Sequence, residues 1–484
     1  MASWIWRTQE RYIGVIGMHS SGKTVYLTSL IDHLMNHDPA RFRLGPDTAS
    51  PVTVRRVRPE PVNAGWEAFN YAGNRAALAT SGRWPRKTRD RAEFAVGFER
   101  SDWRFNAPLL RLFDMPGERL ADAAMFGQSY AQWSDHWHRY AADDAHQRAA
   151  SAGFLDALVE NAPVENAPVA DALGSPGKAP VADALGSPGG VTVLIDAYRL
   201  ALATAVGEHY KPFVTPSSFL LDAAGGVAHG DTPAEIAAGR YVGTTEATQF
   251  VPLPAAVRAK YPEMTAEFAR HYETYQREMV GPYLESLARC HSLIVMVDIV
   301  EMLRSGVAMA NDGRQMVRDL MRVIEPGESV LGTALRRLSE AVLQHRPRWV
   351  SKIAFVAPKI DLVHPADRDR VLHLMRKHVG SLAQDHDGLE CRFFVASAVV
   401  STKSMPGGES TRVMRGLPYR DADGAKIPRG VEQQFPVSVV PEEWPSTWRP
   451  GDYSFPEVYP VLPAYQGYPP DQIGLDRVLE FVMD

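Results

Sequence analysis

Residues 12–16 form an apolar, β-branched and aromatic run around one glycine, and the run stops at a glycine-containing loop, as a buried strand does. Beyond the loop, Val25, Leu27, Leu30, Ile31 and Leu34 recur at helical spacing, which predicts a helix over 23–36. Two further strands are predicted over 94–98 and 109–113, the second ending at Asp114. Residues 293–297, 352–357 and 392–396 have the same strand character, and helical patterns over 331–343 and 367–379 separate the later ones. Alternation of this kind predicts an α/β fold, a mostly parallel sheet with helices on both faces.

The stretch between Arg119 and Cys290 breaks that alternation. Helical patterns over 131–158, 192–210 and 264–289, with few strand signals, predict a largely helical insertion. The expected organisation is a first α/β part over 1–119, an insertion over 120–289, a second α/β part over 290–405 and a Pro- and aromatic-rich segment over 406–484. Within the insertion, APVADALGSPG occurs from Ala167 and again from Ala179; two copies of so short a unit cannot bury a core, so 160–190 is expected to be a flexible loop. Past Lys403, Pro, Trp and Tyr accumulate, predicting extended segments over the sheet edge. Leu475, Val478, Leu479 and Val482 then restore helical spacing for a closing helix.

Composition narrows the functional classes. With 52 Lys and Arg against 57 Asp and Glu, the chain carries a formal charge of -5 and offers no electrostatic footprint for nucleic acid. Cys290 and Cys391 are too few for a disulfide framework, which fits a reducing compartment. Charged and polar residues interrupt the N-terminal segment, so no signal peptide is expected. The most apolar stretch, 293–300, falls well short of the roughly 20 residues of a spanning helix.

The chemistry concentrates in three loops. Gly17-Met18-His19-Ser20-Ser21-Gly22-Lys23-Thr24 fits G-x-x-x-x-G-K-[ST] between a predicted strand and a predicted helix. Such a loop turns backbone N–H groups onto phosphates, with Lys23 neutralising β- and γ-phosphate charge and Thr24 ligating Mg²⁺; Val25 opens the helix behind it. Asp114-Met115-Pro116-Gly117 follows a strand, which puts Asp114 near the metal and the Gly117 N–H near the γ-phosphate. Glu118 is a candidate for orienting the attacking water, opposed by repulsion from the phosphate. Of the threonines that could close over the γ-phosphate and Mg²⁺, Thr80 and Thr88, the second precedes a strand among basic neighbours and is preferred. Ser20 is a candidate donor to the bridging oxygen, and His19 reads as a loop spacer in contact with the nucleotide.

The third loop, Ala357-Pro358-Lys359-Ile360-Asp361, is similar to the [NT]-K-x-D guanine motif. Asp361 can accept two hydrogen bonds from a guanine edge that adenine cannot supply, and the Lys359 stem can cover the base. Pro358 departs from the motif, having no side-chain amide or hydroxyl to tie the loop down. Ser397 and Ala398, after the next strand, are candidates for contact with the guanine oxygen. An ATPase of the same fold is the alternative if Pro358 has disabled guanine selection; a nucleotide-binding scaffold with little hydrolysis is another.

Taken together, SGKT, GRWPRKTRD, LRLFDMPGERL, QSYAQWS, YQREMVGPYLESLARCHSLIVMVDIVEML, APKID and LDRVLEFVMD resemble the YcjX-like family of bacterial P-loop NTPases, grouped near dynamin-like and translation-factor-class GTPases. The resemblance implies a cytoplasmic protein that binds and hydrolyses GTP to GDP with Mg²⁺ as cofactor, and that carries a helical insertion. It further implies a link to stress responses and a place at the inner membrane beside a membrane-associated protein partner. No arginine finger is identifiable; Arg83, Arg86 and Arg89 are candidates, and a homodimer could supply one in trans.

Overall fold

The computed structural model describes residues 9–18, 20–46, 50–85, 91–103, 108–115, 118–123, 125, 128–143, 145–160, 188–205, 215–220, 245–324, 350–383, 389–405, 412–419, 428–463, 465 and 467–483. The chain forms two compact units, one from Met1–Leu120 with Glu285–Asp484 and one from Ala121–Leu284.

The first unit is built on strands β1 (Gln9–Gly17), β2 (Val54–Glu60), β3 (Glu67–Ala68), β4 (Ala92–Arg100), β5 (Pro108–Asp114), β6 (Ser292–Met296), β7 (Lys352–Ala357) and β8 (Glu390–Val395). They assemble in the order β2-β4-β5-β1-β6-β7-β8, with β3 beside β4. β1 runs parallel to both β5 and β6, and the parallel run continues through β7 to β8; β4 is antiparallel to β2 and β5. Every residue of β6 is buried, the signature of a strand covered on both faces, and this explains the unbroken apolar run that follows its first residue, Ser292.

One face is covered by the helix Lys23–Met35, through Leu27, Leu30, Ile31 and Leu34, and by the helix Leu475–Met483, through Leu475, Val478, Leu479 and Val482. Together they share one core with Ile13, Val15, Ile294, Met296, Ala354 and Val356, the first helix lying against β1 and β5 and the second against β6 and β7. The closing helix is also clamped electrostatically: Arg100, nearly inaccessible, donates to both oxygens of Glu480 (3.0 and 2.9 Å) and both of Asp102 (3.0 and 2.8 Å). The helices Ile299–Ser305, Val307–Ile324 and Arg368–Ala383 form a separate layer beside β7 and β8.

Two histidines are packed inside this unit. His33 stacks on Phe42 at 5.0 Å, and its Nε2 donates to the Pro470 carbonyl at 3.0 Å. His378 lies against Trp444, with ring centroids 5.1 Å apart. Burial lowers both pKa values from 6.5 to about 4, with Arg314 adding to the effect at His378. The folded rings therefore stay neutral where the unfolded rings gain a proton, so their stabilisation is complete above pH 6.5 and is lost as pH falls toward 4. Between pH 7 and 5 each histidine should cost about 2 kcal/mol of unfolding free energy. Urea denaturation at the two pH values checks this; a midpoint that does not fall, or a His33→Gln variant with an unchanged pH slope, contradicts it.

The aromatic-rich C-terminal segment includes a small antiparallel sheet, order β11-β10-β9, from β9 (Thr402–Ser404), β10 (Arg412–Gly416) and β11 (Gln433–Val437). The segment after it docks by its tryptophans: Trp444 Nε1 donates to the Leu374 carbonyl at 2.9 Å and Trp448 Nε1 to that of Met302 at 3.1 Å. Hydrogen-bonded indoles on an apolar layer explain the composition without an external ligand.

In the second unit the helices are Tyr130–Asp143, Ala145–Glu160, Pro188–Ala205, Ala255–Lys260 and Pro262–Tyr275. Trp133, Trp137, Phe154, Tyr198, Phe219, Phe250 and Tyr272 make an aromatic core, and the buried Asp122 accepts hydrogen bonds from Ser217 N, Ser217 Oγ and Tyr275 OH at 2.8, 2.6 and 2.6 Å. The single helix expected over 131–158 is two, and the one expected over 264–289 is interrupted by a π-helical turn, Gln276–Val280. Apolar periodicity reports which face is buried; it cannot register one extra residue in a turn. The helix expected over 331–343 and the repeat loop over 160–190 lie outside the described residues, but for the last residue of Ala145–Glu160 and the first three of Pro188–Ala205.

Candidate functional site

The pairing of β1 with its neighbours assembles the site. β1 delivers the chain into its loop at Gly17, where an added Cβ would lie 2.7 Å from Met296 Cβ and 2.9 Å from the Met296 carbonyl on β6. Only glycine fits that crossing. The loop turns through Ser20 (φ 61°) and Gly22 (φ 88°), both left-handed, and closes with Ser21 N donating to Met18 O at 3.2 Å. Left-handed backbone at a serine is strained by roughly 1–3 kcal/mol, which marks this loop as held by its surroundings. The helix Lys23–Met35 begins directly behind it, so its unpaired N–H groups and positive end face the loop.

Lys23 folds back over the loop, its Nζ donating to the carbonyls of Gly17 (2.9 Å) and Met18 (3.0 Å). On the other side of β1, the parallel register pairs Val15 with Asp114, which brings the end of β5 level with the loop. Thr24 Oγ1 then donates to Asp114 Oδ2 at 3.1 Å. A hydroxyl and a carboxylate so placed are the hard oxygen donors that Mg²⁺ takes, few in number because phosphate and water oxygens complete its shell. Among the described residues no group of three or more His, Cys, Asp or Glu could hold a metal ion unaided.

The opposite wall comes from the loops after β7 and β8. Asp361, 3% exposed, accepts from Ser397 Oγ at 2.5 Å on one oxygen and from Ser401 N at 2.9 Å on the other, while its carbonyl accepts from Thr402 Oγ1. Burial nonetheless pushes its pKa up, with the two hydrogen bonds working against that rise. Lys359 sits left-handed at φ 61°, its Nζ 2.6 Å from Asp298 Oδ2 and 3.8 Å from Glu301 Oε2. Pro358 makes no side-chain tie to the phosphate loop, yet the two walls are joined by Ser29 Oγ, which donates to the Ala398 carbonyl at 2.6 Å. That tie runs from the phosphate-loop helix to the β8 loop, whereas the motif residue it compensates follows β7.

Between these walls is a cavity of about 430 Å³, lined by Ser20, Ser21, Gly22, Lys23, Thr24, Val25, Asp114, Lys359, Asp361, Ser397 and Ala398 among others. Gly17 stands behind it, under the loop. His19, Thr88 and Gly117 lie outside the described residues, as do Arg86 and Arg89; Glu118 is placed by its backbone, at the start of the helix Glu118–Ala123. Several cavity residues carried no motif: Trp84, Arg304, Tyr419, Glu457 and Val458. Trp84 Nε1 donates to the Val458 carbonyl at 2.9 Å, and Arg304 donates to Phe455 O at 3.1 Å and pairs with Glu457 at 3.3 Å, so the C-terminal segment supplies a wall. The only advance signal was the GRWP run between the two threonine candidates.

The model of the YcjX-like family, DUF463, matches residues 12–173 and 234–484, a span that contains every cavity-lining loop. The chain belongs to the YcjX-like family. It is similar to a protein named Ras-like GTPase YcjX from Escherichia coli (strain K12), 25% identical over 520 aligned positions covering 97% of this chain and 94% of that protein. A second protein of that name, from Shewanella oneidensis, is 23% identical over 99% of this chain and 95% of its own length. At this distance, the likeness to YcjX proteins extends along the whole chain, insertion and C-terminal wall included. No helix among the described residues is long and apolar enough to cross a membrane.

Proposed function

We propose that this YcjX-like protein binds GTP and hydrolyses it to GDP and phosphate in a Mg²⁺-dependent reaction, as a switch or mechanochemical GTPase. The observation that carries the reading is one cavity with Lys23 and the Thr24–Asp114 pair at one end and the buried Asp361 carboxylate at the other. Lys23 exchanges its two carbonyl partners for β- and γ-phosphate oxygens, and the loop N–H groups take the remaining charge. Thr24 and Asp114 hold the metal, which when bound neutralises charge on the phosphates. Asp361 keeps a free lone pair on each oxygen beside those used by Ser397 and Ser401, enough for the guanine N1–H and 2-amino group. Thr88 and Gly117 sense the γ-phosphate, and Glu118 or Ser20 assists the attacking water or the bridging oxygen.

Thr24→Ala should bind guanine nucleotide in the absence of metal as the wild type does, but should need at least 10-fold more Mg²⁺ for half-maximal hydrolysis, because one of two protein oxygens on the ion is gone. Titrating Mg²⁺ after exhaustive EDTA treatment checks this. An unchanged Mg²⁺ requirement would remove Thr24 from the metal site.

Pro358 favours a second reading, an ATPase on the same fold. Titration with labelled GDP, GTP and ATP separates the two: tight guanine binding supports the first, and equal ATP binding supports the second.

A further inference from the structure

Asp298 lies two residues beyond β6, an acidic residue directly after the apolar run 293–297. It is 1% exposed, yet each of its oxygens is used. Oδ1 accepts from Glu301 N at 3.0 Å and caps the helix Ile299–Ser305; Oδ2 lies 2.6 Å from Lys359 Nζ. Because β6 and β7 are adjacent and parallel, with Val297 N donating to Val356 O at 2.8 Å, the residues leaving their ends are neighbours. The charged groups around the pair are Glu301, 3.8 Å from Lys359 Nζ, and Arg304, which bonds Glu301 and Glu457 at 3.3 Å each.

Two features of the β7 loop need an anchor. Lys359 holds a left-handed backbone that an L side chain avoids, and the residue before it, Pro358, has no polar side chain to fix the turn. Lys359 leads by two residues to Asp361, whose carboxylate must meet the base edge. We infer that Asp298 is a positioning residue for base recognition: by holding the Lys359 ammonium from beneath, it fixes the turn that Pro358 cannot tie and lays the Lys359 stem along the base site. This rests on the guanine reading of the cavity and adds to it a residue outside the motif. A buried carboxylate here costs desolvation that an apolar residue would avoid, which is offset only by its pairing with Lys359 and the helix cap.

The test is a double-mutant cycle on the full chain, with Asp298→Asn, Lys359→Met and the double variant, each titrated with labelled GDP and ADP. Asparagine keeps an oxygen for Glu301 N and puts an NH₂ donor where Oδ2 met the Lys359 ammonium, removing both the charge and the acceptor. Asp298→Asn is expected to weaken GDP about 10-fold, shrink the GDP-over-ADP preference by the same factor and leave kcat at saturating GTP within about twofold. The double variant should bind GDP as Lys359→Met does, because Asp298 acts through Lys359 alone. Retained preference in Asp298→Asn, an equal loss for both nucleotides, or losses that multiply in the double variant would overturn the assignment. If Asp298→Asn does not fold, Lys359→Met titrated with GDP and ADP still decides it, because a GDP-over-ADP preference unchanged without the ammonium that Asp298 holds would overturn the assignment. Equal GDP and ADP affinity in the wild type would overturn the guanine reading itself, and this inference with it.

Discussion

Replacing Lys23 with alanine should lower kcat/KM for GTP roughly 10³-fold while leaving the fold intact. The two halves of that expectation have separate grounds. Among the described residues Lys23 Nζ is hydrogen-bonded to the Gly17 and Met18 carbonyls, and its removal returns them to the cavity, a change worth about 1 kcal/mol or less. In the transition state the same ammonium faces developing charge on the transferred phosphoryl group in a partly desolvated site, where a missing donor costs several kcal/mol. Hydrolysis assayed alongside thermal unfolding separates the effects. Activity within twofold of wild type would remove the phosphate loop from the reaction, and a collapse of thermal stability would reassign Lys23 to holding the loop.

What could be read in advance divides by the range of the interaction. The loop from Gly17 to Thr24 was legible because its geometry is local: Gly22 must be left-handed, and the helix periodicity begins at once behind it. The same holds for the strands around β1, whose apolar runs are short and bounded. β2 was not foreseen, since Arg55, Arg56 and Arg58 are exposed on an edge strand that has one covered face and no apolar alternation to show it. Nor were Arg304 and Glu457, which meet across 153 positions of sequence. Asp298 was visible only as the acidic residue inside the apolar stretch 293–300; its partner Lys359 follows the next strand of the sheet, and strand adjacency is a property of the sheet. Pro358 shows the converse. Its lack of a polar side-chain group was plain in the sequence, but the Ser29–Ala398 bond that joins the same walls by another route was not.

Asp361→Asn should weaken guanine nucleotide binding about 10²- to 10³-fold and raise the affinity for xanthine nucleotides above that of the wild type. Guanine presents two donors to this residue, N1–H and the 2-amino group. The carboxylate accepts both, whereas an amide accepts one and turns its own NH₂ against the other. Xanthine carries a carbonyl in place of that amino group, so the amide donor finds an acceptor. The surroundings tolerate the exchange. Asn Oδ1 can keep the bond from Ser401 N, and Ser397 Oγ, already 3.0 Å from the Val399 carbonyl, can donate there and accept from the new NH₂. The buried position also loses a charge whose desolvation raised the carboxyl pKa, so stability should not fall for lack of a counter-ion. Competition titrations with GDP, XDP and ADP on both proteins read the result. A variant that loses GDP and gains XDP places the base edge on Asp361; loss of all three nucleotides in equal proportion would mean that Asp361 holds its loop through Ser397, Ser401 and Thr402 and never meets the base.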